Sequence, residues 1–545
     1  MWRRKFLELW GLGGSASILY WLKKTLDYRS NADTDRDPSF GEKPTPEQDS
    51  NLHRFDHLVV LMLENRSLDN LFGYLYENEP PKLFIPEGDA VFRGVAGRDD
   101  LYNVDGNNPP RKYYVSKAPY ERPQDMFAPY PNTGEFYVPD INRQIYGSDE
   151  VSGDIAELPK TNLMQGFVQD YIRVIGESKG WDGRVAPEPE VVQQVMNCFP
   201  PEALPVLSGL AKSFAISDAW FSSVPSATWP NRSFVHSATS RGRVLNKPAT
   251  EWVFKHDQPT IFERLSDKLG RDEAWRVYAE ESKYVSITRL LHKPLQSKEF
   301  EGNFEHLDQF FDDCEHGSLP AYSFLEPRML SNVNDAHPPY WLNPFAASSL
   351  LASEPFVNDV YNAVRTGKNW GRTLLVITFD EHGGLYDHVV PPTNATPPDN
   401  QSRDEGEFGF RFDRFGPRVP TLFISPYVEE GTVIRARGET PFDHTSIIKT
   451  ICKRWELEGL TDRDKAAPDF GAVLSRNDDT PRRETPSFEP RPYTPMPEPK
   501  AHQAPLGHLG HQIADLLGAK RGQESPTLET VGDAVRHFFN REDKK

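Results

Sequence analysis

Cysteine is scarce in this chain: Cys198, Cys314 and Cys452 are the only three in 545 residues, and they lie far apart. An odd, scattered set excludes a disulfide framework and a cysteine–zinc cluster, so these side chains are expected to fill the core. Basic residues are in deficit too. Lys and Arg total 62 against 80 Asp and Glu, a formal net charge of -18, which lacks the positive footprint that nucleic acid requires of a partner. An acidic chain can still bind a phosphate ester where a metal ion or helix N-termini supply positive potential locally. Long apolar runs are missing as well. Leu9–Leu22 is the one candidate, and it is short of the roughly 20 apolar residues that a membrane-spanning helix needs. No internal repeat is visible.

What is present is aromatic and apolar mass. With 33 Phe, 20 Tyr, 11 Trp and 37% hydrophobic residues, the chain can bury a real core and is not disordered throughout. Forty-eight prolines predict long irregular connections. The length suits one large catalytic domain with appendages, or two to three ordinary domains. Residues 1–27 set Arg3-Arg4 before Phe6-Leu7 and a mildly apolar stretch, which resembles a twin-arginine export signal. The alternative is an N-terminal helix packed on the body or lying on a membrane, since Glu8 interrupts the run and Lys23-Lys24 follow it. A working signal implies a periplasmic or extracellular protein, its failure a cytoplasmic one. Residues 28–52 read as a polar linker, with ordered structure expected from His57. The catalytic domain is expected over 53–465, a Pro-rich strap or linker over 466–505, and a small helical tail over 506–545.

Within the central region apolar runs alternate with helical patterns, the mark of an α/β domain. Leu58–Leu63, Leu374–Phe379 and Val419–Ser425 are continuous apolar stretches, as strands are when helices cover both faces of a sheet. The expected fold is a central, mostly parallel sheet flanked by helices, with a long irregular insertion over about residues 75–200. Ligands gather at the carboxyl ends of strands in such sheets.

Four segments carry potential chemistry. The first strand runs into Glu64-Asn65, where a carboxylate and an amide oxygen offer two hard ligands to one divalent ion. The plainer reading is local: Ser67 or Asn65 caps the next helix and Asp69 suits its first turn. The second strand runs into Asp380-Glu381-His382-Gly383-Gly384, then Asp387-His388. Several ionisable groups behind an apolar strand are costly without a cation or a hydrogen-bond network, and the glycine pair lets backbone approach a ligand closely. A tight turn with an acidic rim is the alternative. In Pro225–Ser233, Thr228 is expected at a helix N-terminus, where free N–H groups favour both an alkoxide and a phosphoryl oxygen; a simple N-cap role competes. In Phe442–Ile451, Asp443 suits an N-cap, and His444 either faces the sheet end or is solvated.

In series, Glu64-Asn-Arg-Ser-Leu-Asp69, Thr228-Trp-Pro-Asn231-Arg232, Asp380-Glu-His-Gly-Gly-Leu-Tyr-Asp-His388 and Asp443-His-Thr-Ser-Ile-Ile448 resemble the phosphoesterase family of non-haemolytic phospholipases C and acid phosphatase A. Gly416–Pro420 and Ile424-Ser-Pro426 fit the same pattern. The resemblance implies an alkaline-phosphatase-like fold and a single divalent ion held by Glu64, Asn65, Asp380, Glu381 and the hydroxyl of Thr228, the nucleophile. It further implies that Asn231 bonds a phosphoryl oxygen, that Arg232, His388 and His444 lie on the substrate side, and that His337 sits near the phosphate or leaving group. The family often carries a site histidine ahead of the segment matched by Gly166-Phe167, whereas this chain has none from 58 to 235; Glu135 is placed there instead. The implied reaction is a two-step displacement through phospho-Thr228, with His337 or His382 protonating the leaving alcohol. Oxygen ligation does not separate Ca, Mg, Mn and Zn. The expected substrate is a phospholipid, with peripheral membrane contact, or a small phosphate ester. A broad-specificity acid phosphomonoesterase and a non-catalytic membrane- or ligand-binding relative are the alternatives. Oligomeric state is left open.

Overall fold

The apolar run His-Leu-Val-Val-Leu-Met-Leu has no polar residue to turn toward solvent, so it must be covered on both faces. In the computed structural model it forms strand β1 (His57–Leu63), with 58–63 fully buried. The structure describes residues 51–494, leaving out 89, 178, 181–182, 185–186, 271–273, 282–284, 331, 339–348, 477–480 and 483, together with 508–522, 528, 530 and 533. The N-terminal segment 1–27 and nearly all of the linker 28–52 lie outside these residues.

The other strands of the main sheet are β2 (Leu83–Ile85), β3 (Ala215–Ser217), β4 (Trp275–Ala279), β5 (Phe304–His306), β6 (Tyr322–Glu326), β7 (Thr373–Phe379), β8 (Thr421–Ile424) and β9 (Thr432–Ile434). Their order across the sheet is β5-β4-β6-β1-β7-β8-β3-β9-β2. Only β8 runs antiparallel to its neighbours. The sheet is therefore mostly parallel, as expected, and the run Val419–Ser425 is the reversed strand. An apolar run shows that a strand is buried but not which way it points. The helices that bear on the site are α1 (Leu68–Phe72), α2 (Asn142–Tyr146), α3 (Phe167–Glu177), α4 (Pro205–Ser213), α5 (Thr228–Ser237), α6 (Leu350–Thr366), α7 (Thr445–Trp455) and α8 (His508–Lys520). Helix α6 packs on α4, and α7 on α5.

Several sequence expectations change here. Ordered structure starts before His57: Asn51–Arg54 form a helical turn, and Arg54 Nη1 donates to the Leu474 carbonyl at 3.0 Å. The insertion is not only a wrapping, because β2 completes one edge of the sheet beside β9. Asp443 ends a two-residue strand paired with Trp220–Phe221 and caps α7 as expected, its Oδ1 accepting the N–H of Thr445, the first residue of the helix, at 3.1 Å; His444, at the formal N-cap position, makes no side-chain capping bond. The Pro-rich stretch is packed where it is described: Phe488 and Tyr493 lie against the main core, and the Tyr361 hydroxyl donates to the Pro486 carbonyl at 2.8 Å. In the tail, α8 packs on Ala249–Lys255 and Ile287–Leu291, whereas most of 527–540 lies outside the described residues. All three cysteines are buried and free. Among the described residues no helix is long and apolar enough to cross a membrane.

Candidate active site

The two acidic tips are brought together by register. Strands β1 and β7 are parallel neighbours that pair Leu63 with Phe379, so Glu64-Asn65 and Asp380-Glu381 leave the sheet side by side at its carboxyl end. The Asp380 N–H donates to the Leu63 carbonyl at 3.1 Å. In return Asp380 Oδ1 accepts the N–H of Asn65 at 2.9 Å and its neighbour Glu381 at 2.8 Å. Asn65 sits in the left-handed region at φ 55°, which Asn enters more readily than most residues. Gly383 and Gly384 follow at φ 66° and 65°. A Cβ on the first would strike the Asn65 carbonyl and one on the second the Gly134 carbonyl. The close approach served by this glycine pair is thus to neighbouring backbone rather than to a ligand.

Thr228 opens α5 as its first residue, with Ala227 at the N-cap and no side chain capping. The simple N-cap role for Thr228 is therefore not what the structure shows. Its Oγ1 donates to Glu64 Oε2 at 3.2 Å. One turn later Arg232 donates from Nε to Glu64 Oε1 at 2.9 Å and also contacts it through Nη2. Arg232 was expected on the substrate side. Instead it is a buried partner of the strand-tip carboxylate, a pairing that lowers the cost of burying that charge.

Glu135 does reach the site. Its Oε2 accepts from Asn65 Nδ2 at 2.7 Å, and His337 Nε2 is 3.8 Å away. Asp335 belongs to the same corner, its carbonyl accepting the Glu64 N–H at 2.8 Å. His382 is buried beneath the acidic tip, with Nδ1 3.2 Å from Glu381 Oε2 and Nε2 2.7 Å from Gln144 Oε1. Burial pushes this imidazole down to about 3, so the contact with Glu381 is not an ion pair at neutral pH. Burial also raises the Glu381 carboxyl well above the usual range, with Glu135 and Asp380 adding to the effect. Glu64 is likewise raised, by burial and by Asp380, against the pull of Arg232.

Among the described residues, three buried oxygens of this cluster have no hydrogen-bond partner: Asn65 Oδ1, Asp380 Oδ2 and Glu381 Oε1. Stranded buried acceptors are rare and call for an explanation. An amide oxygen and carboxylate oxygens are the donors that a hard divalent ion takes, so the chemistry of the set fits a cation. Among the described residues, no three His, Cys, Asp or Glu side chains are drawn together closely enough to form a finished metal cage.

Not every expected residue reaches the cluster. Asn231 Nδ2 donates to the carbonyls of Val224, Ser226 and Ala227, and its Oδ1 accepts the Val224 N–H at 3.1 Å. Its amide is spent on bracing the loop ahead of Thr228 and is not a free donor for a phosphoryl oxygen. His444 lies under the tip, bonded through Nε2 to the Asp380 carbonyl at 2.6 Å, with Trp220 Nε1 3.4 Å from Nδ1. It is fully buried, and burial lowers its pKa below the ordinary imidazole value. His388 bonds Asp69 Oδ2 through Nδ1 at 2.6 Å. Asp69 and Asp387 share Arg418, each at 2.9 Å, so Asp69 is an ionic partner as well as a first-turn acid. Gln144, Asp335 and Arg418 were missed as functional candidates. Arg418 stood within a matched motif, but nothing in its local pattern named its partners.

A mostly parallel α/β sheet that sets a helix-first hydroxyl against one of two paired acidic strand tips is suited to nucleophilic attack on an electrophilic ester centre. Comparison with known proteins makes this specific. The chain belongs to the Phosphoesterase family, whose model matches residues 55–458, and it is a phosphoric ester hydrolase. It is 33% identical over 475 residues to non-specific phospholipase C5 of Arabidopsis thaliana, covering 85% of this chain and 82% of the relative. Non-specific phospholipase C1 of the same plant is 34% identical over 83% of this chain and 75% of its own. Phospholipase C B of Mycobacterium tuberculosis is 25% identical over 85% and 86%. A solved alkaline phosphatase superfamily protein from Vibrio parahaemolyticus aligns over 49% of this chain and 64% of its own, with 10% identity and a TM-score of 0.27.

Proposed function

We propose that this chain is a metal-dependent hydrolase of the phospholipase C type, acting on phospholipids through a phospho-Thr228 intermediate. The observation that carries the reading is the 3.2 Å hydrogen bond from Thr228 Oγ1 to Glu64, set beside the unpartnered oxygens of Asn65, Asp380 and Glu381. In the first step Thr228 Oγ1 forms a bond to phosphorus as the bond to the leaving alcohol breaks, and the hydroxyl proton passes to Glu64. His337 supplies a proton to the departing oxygen. Water then attacks phospho-Thr228, returning a proton to His337, while Glu64 gives its proton back to the threonine. Glu64, Asn65, Asp380, Glu381 and Thr228 are the residues that would hold one divalent ion. When bound it supplies Lewis-acid stabilisation of charge on the phosphoryl oxygens and lowers the pKa of the hydroxyl.

The phospholipid arm is supported by the names of the relatives, and the catalytic arm by the geometry. Phosphatidylcholine and p-nitrophenyl phosphate are to be assayed side by side, with and without EDTA. Phosphocholine release that EDTA abolishes and added divalent ion restores is the expected result; turnover indifferent to chelation sinks metal dependence. A clear preference for p-nitrophenyl phosphate replaces the lipase reading with that of a phosphomonoesterase. Thr228→Ala is expected to melt like the parent and turn over at least a thousandfold more slowly. Near-parental activity in that variant ends the nucleophile assignment. Export belongs to the same proposal: Arg3→Lys with Arg4→Lys is expected to keep the protein inside a bacterial host that otherwise secretes it.

A further inference from the structure

His337 and His382 are the alternative donors to the leaving alcohol, and the surroundings of His382 bear on the choice. The amide of Gln144, carried on α2, touches three groups. Its Nε2 lies 2.7 Å from the Gly134 carbonyl and 2.8 Å from Asp170 Oδ2 on α3. A carbonyl oxygen can only accept, so the nitrogen end of this amide must face Gly134. The Gln144 oxygen is thereby turned to His382, at 2.7 Å. An oxygen bonded at that distance needs a proton from the ring, and only Nε2 is there to supply it. Asp170 is itself held by Arg173, with Nη2 at 2.9 Å, and Gln144 is fully buried, so the amide has no solvent in which to turn over.

We infer that Gln144 accepts the Nε2 proton of His382 and so fixes the ring with Nδ1 toward Glu381, and that Gln144 is thereby a positioning residue for the phosphoryl-transfer centre. Among the described residues His382 Nδ1 has no partner other than this 3.2 Å approach to Glu381 Oε2. The Nε2 proton is therefore spent on Gln144 and turned away from the acidic cluster. It is not available to the leaving alcohol, and that duty is assigned to His337. The catalytic half of the inference rests on the phosphoesterase mechanism above; the tautomer does not.

The test reads the tautomer directly. Protein labelled with 15N-histidine is examined by long-range 15N–1H correlation, and the His382 pattern is assigned by its loss in His382→Gln. The parent is expected to show a pyrrole-type, protonated Nε2. Gln144→Met, close in shape but unable to accept the ring proton, is expected to lose that single pattern. Its kcat is expected to fall ten- to a hundredfold with KM within about twofold. Asp170→Asn retains an oxygen to receive the Gln144 amide and is expected to preserve both pattern and kcat. A parental His382 whose Nε2 carries no proton overturns the inference. So does a Gln144→Met variant that is parental in both spectrum and kcat. Should Gln144→Met fail to fold, the parental spectrum alone still decides the tautomer. A parent with the expected spectrum but no phosphoesterase turnover would refute the proposed function and leave the tautomer standing.

Discussion

Single residues at the strand tips do two jobs that mutation can separate. Asn65 holds a left-handed backbone at φ 55° and also presents an amide to Glu135. Asn65→Gly keeps the backbone free and removes the amide, whereas Asn65→Ala removes the amide and adds strain of about 1 kcal/mol. Both variants are expected to lose activity, and urea titration should find the alanine form the less stable. Gly383→Ala is a harsher change, since its Cβ meets the Asn65 carbonyl; a loss of about 2–3 kcal/mol with abolished turnover is expected. An alanine variant of parental stability would mean that the two tips do not pack as described. At this scale the sequence was a fair guide to identity and a poor one to duty. The acids that ended two apolar runs were visible because charge directly behind a buried strand is rarely incidental. Asn231 was misjudged because an amide in the first turn of a helix looks equally suited to a ligand and to its own loop. Gln144 was invisible, its meaning residing in an imidazole 238 residues away.

At the scale of elements, the placement of α4 depends on a buried acid. Glu354, in α6, accepts the N–H groups of Val206 at 2.9 Å and Leu207 at 2.8 Å, the first turn of α4. The helix end favours its charge, yet burial wins and pushes the carboxyl up to about 7. A carboxyl raised in the folded state binds a proton there that the unfolded chain, with a pKa near ~4.3, has already released. Its contribution to stability is therefore complete below about pH 4 and declines as pH rises toward 7, by at most about 3 kcal/mol. Glu354→Gln should flatten the dependence of melting temperature on pH between 5 and 7.5. An unchanged slope would show that the acid is ionised throughout. The sheet itself was legible as far as burial decides it: three apolar runs became three central strands. The edge strand β2 was not, because Leu83–Ile85 is only three half-buried residues within a Pro- and Asp-rich stretch.

For the whole molecule, the C-terminal helix matters more than a tail would. Ile513, Leu516 and Leu517 of α8 share an apolar cluster with Trp229 and Trp252. Asn246 links the two polar sides, donating to Gln512 at 2.7 Å and accepting the Trp229 N–H at 3.0 Å. The residue after the proposed nucleophile is thus tied to the far end of the chain. Leu516→Ala should cost about 2–4 kcal/mol. A chain ending at residue 505 is expected to show altered tryptophan fluorescence and severely reduced kcat, and full activity in that truncation would show that α8 is dispensable.

The pairing of β1 with β7 has a consequence for biosynthesis. The hydrogen bond that locks the two tips joins residues 315 apart in sequence, and the imidazole beneath them, His444, comes later still. A ribosome must therefore release most of the polypeptide before the two tips can meet. Contacts closed over such long loops form slowly, so a nascent chain is expected to remain inert until translation is nearly finished, and hydrolytic power arrives late and all at once.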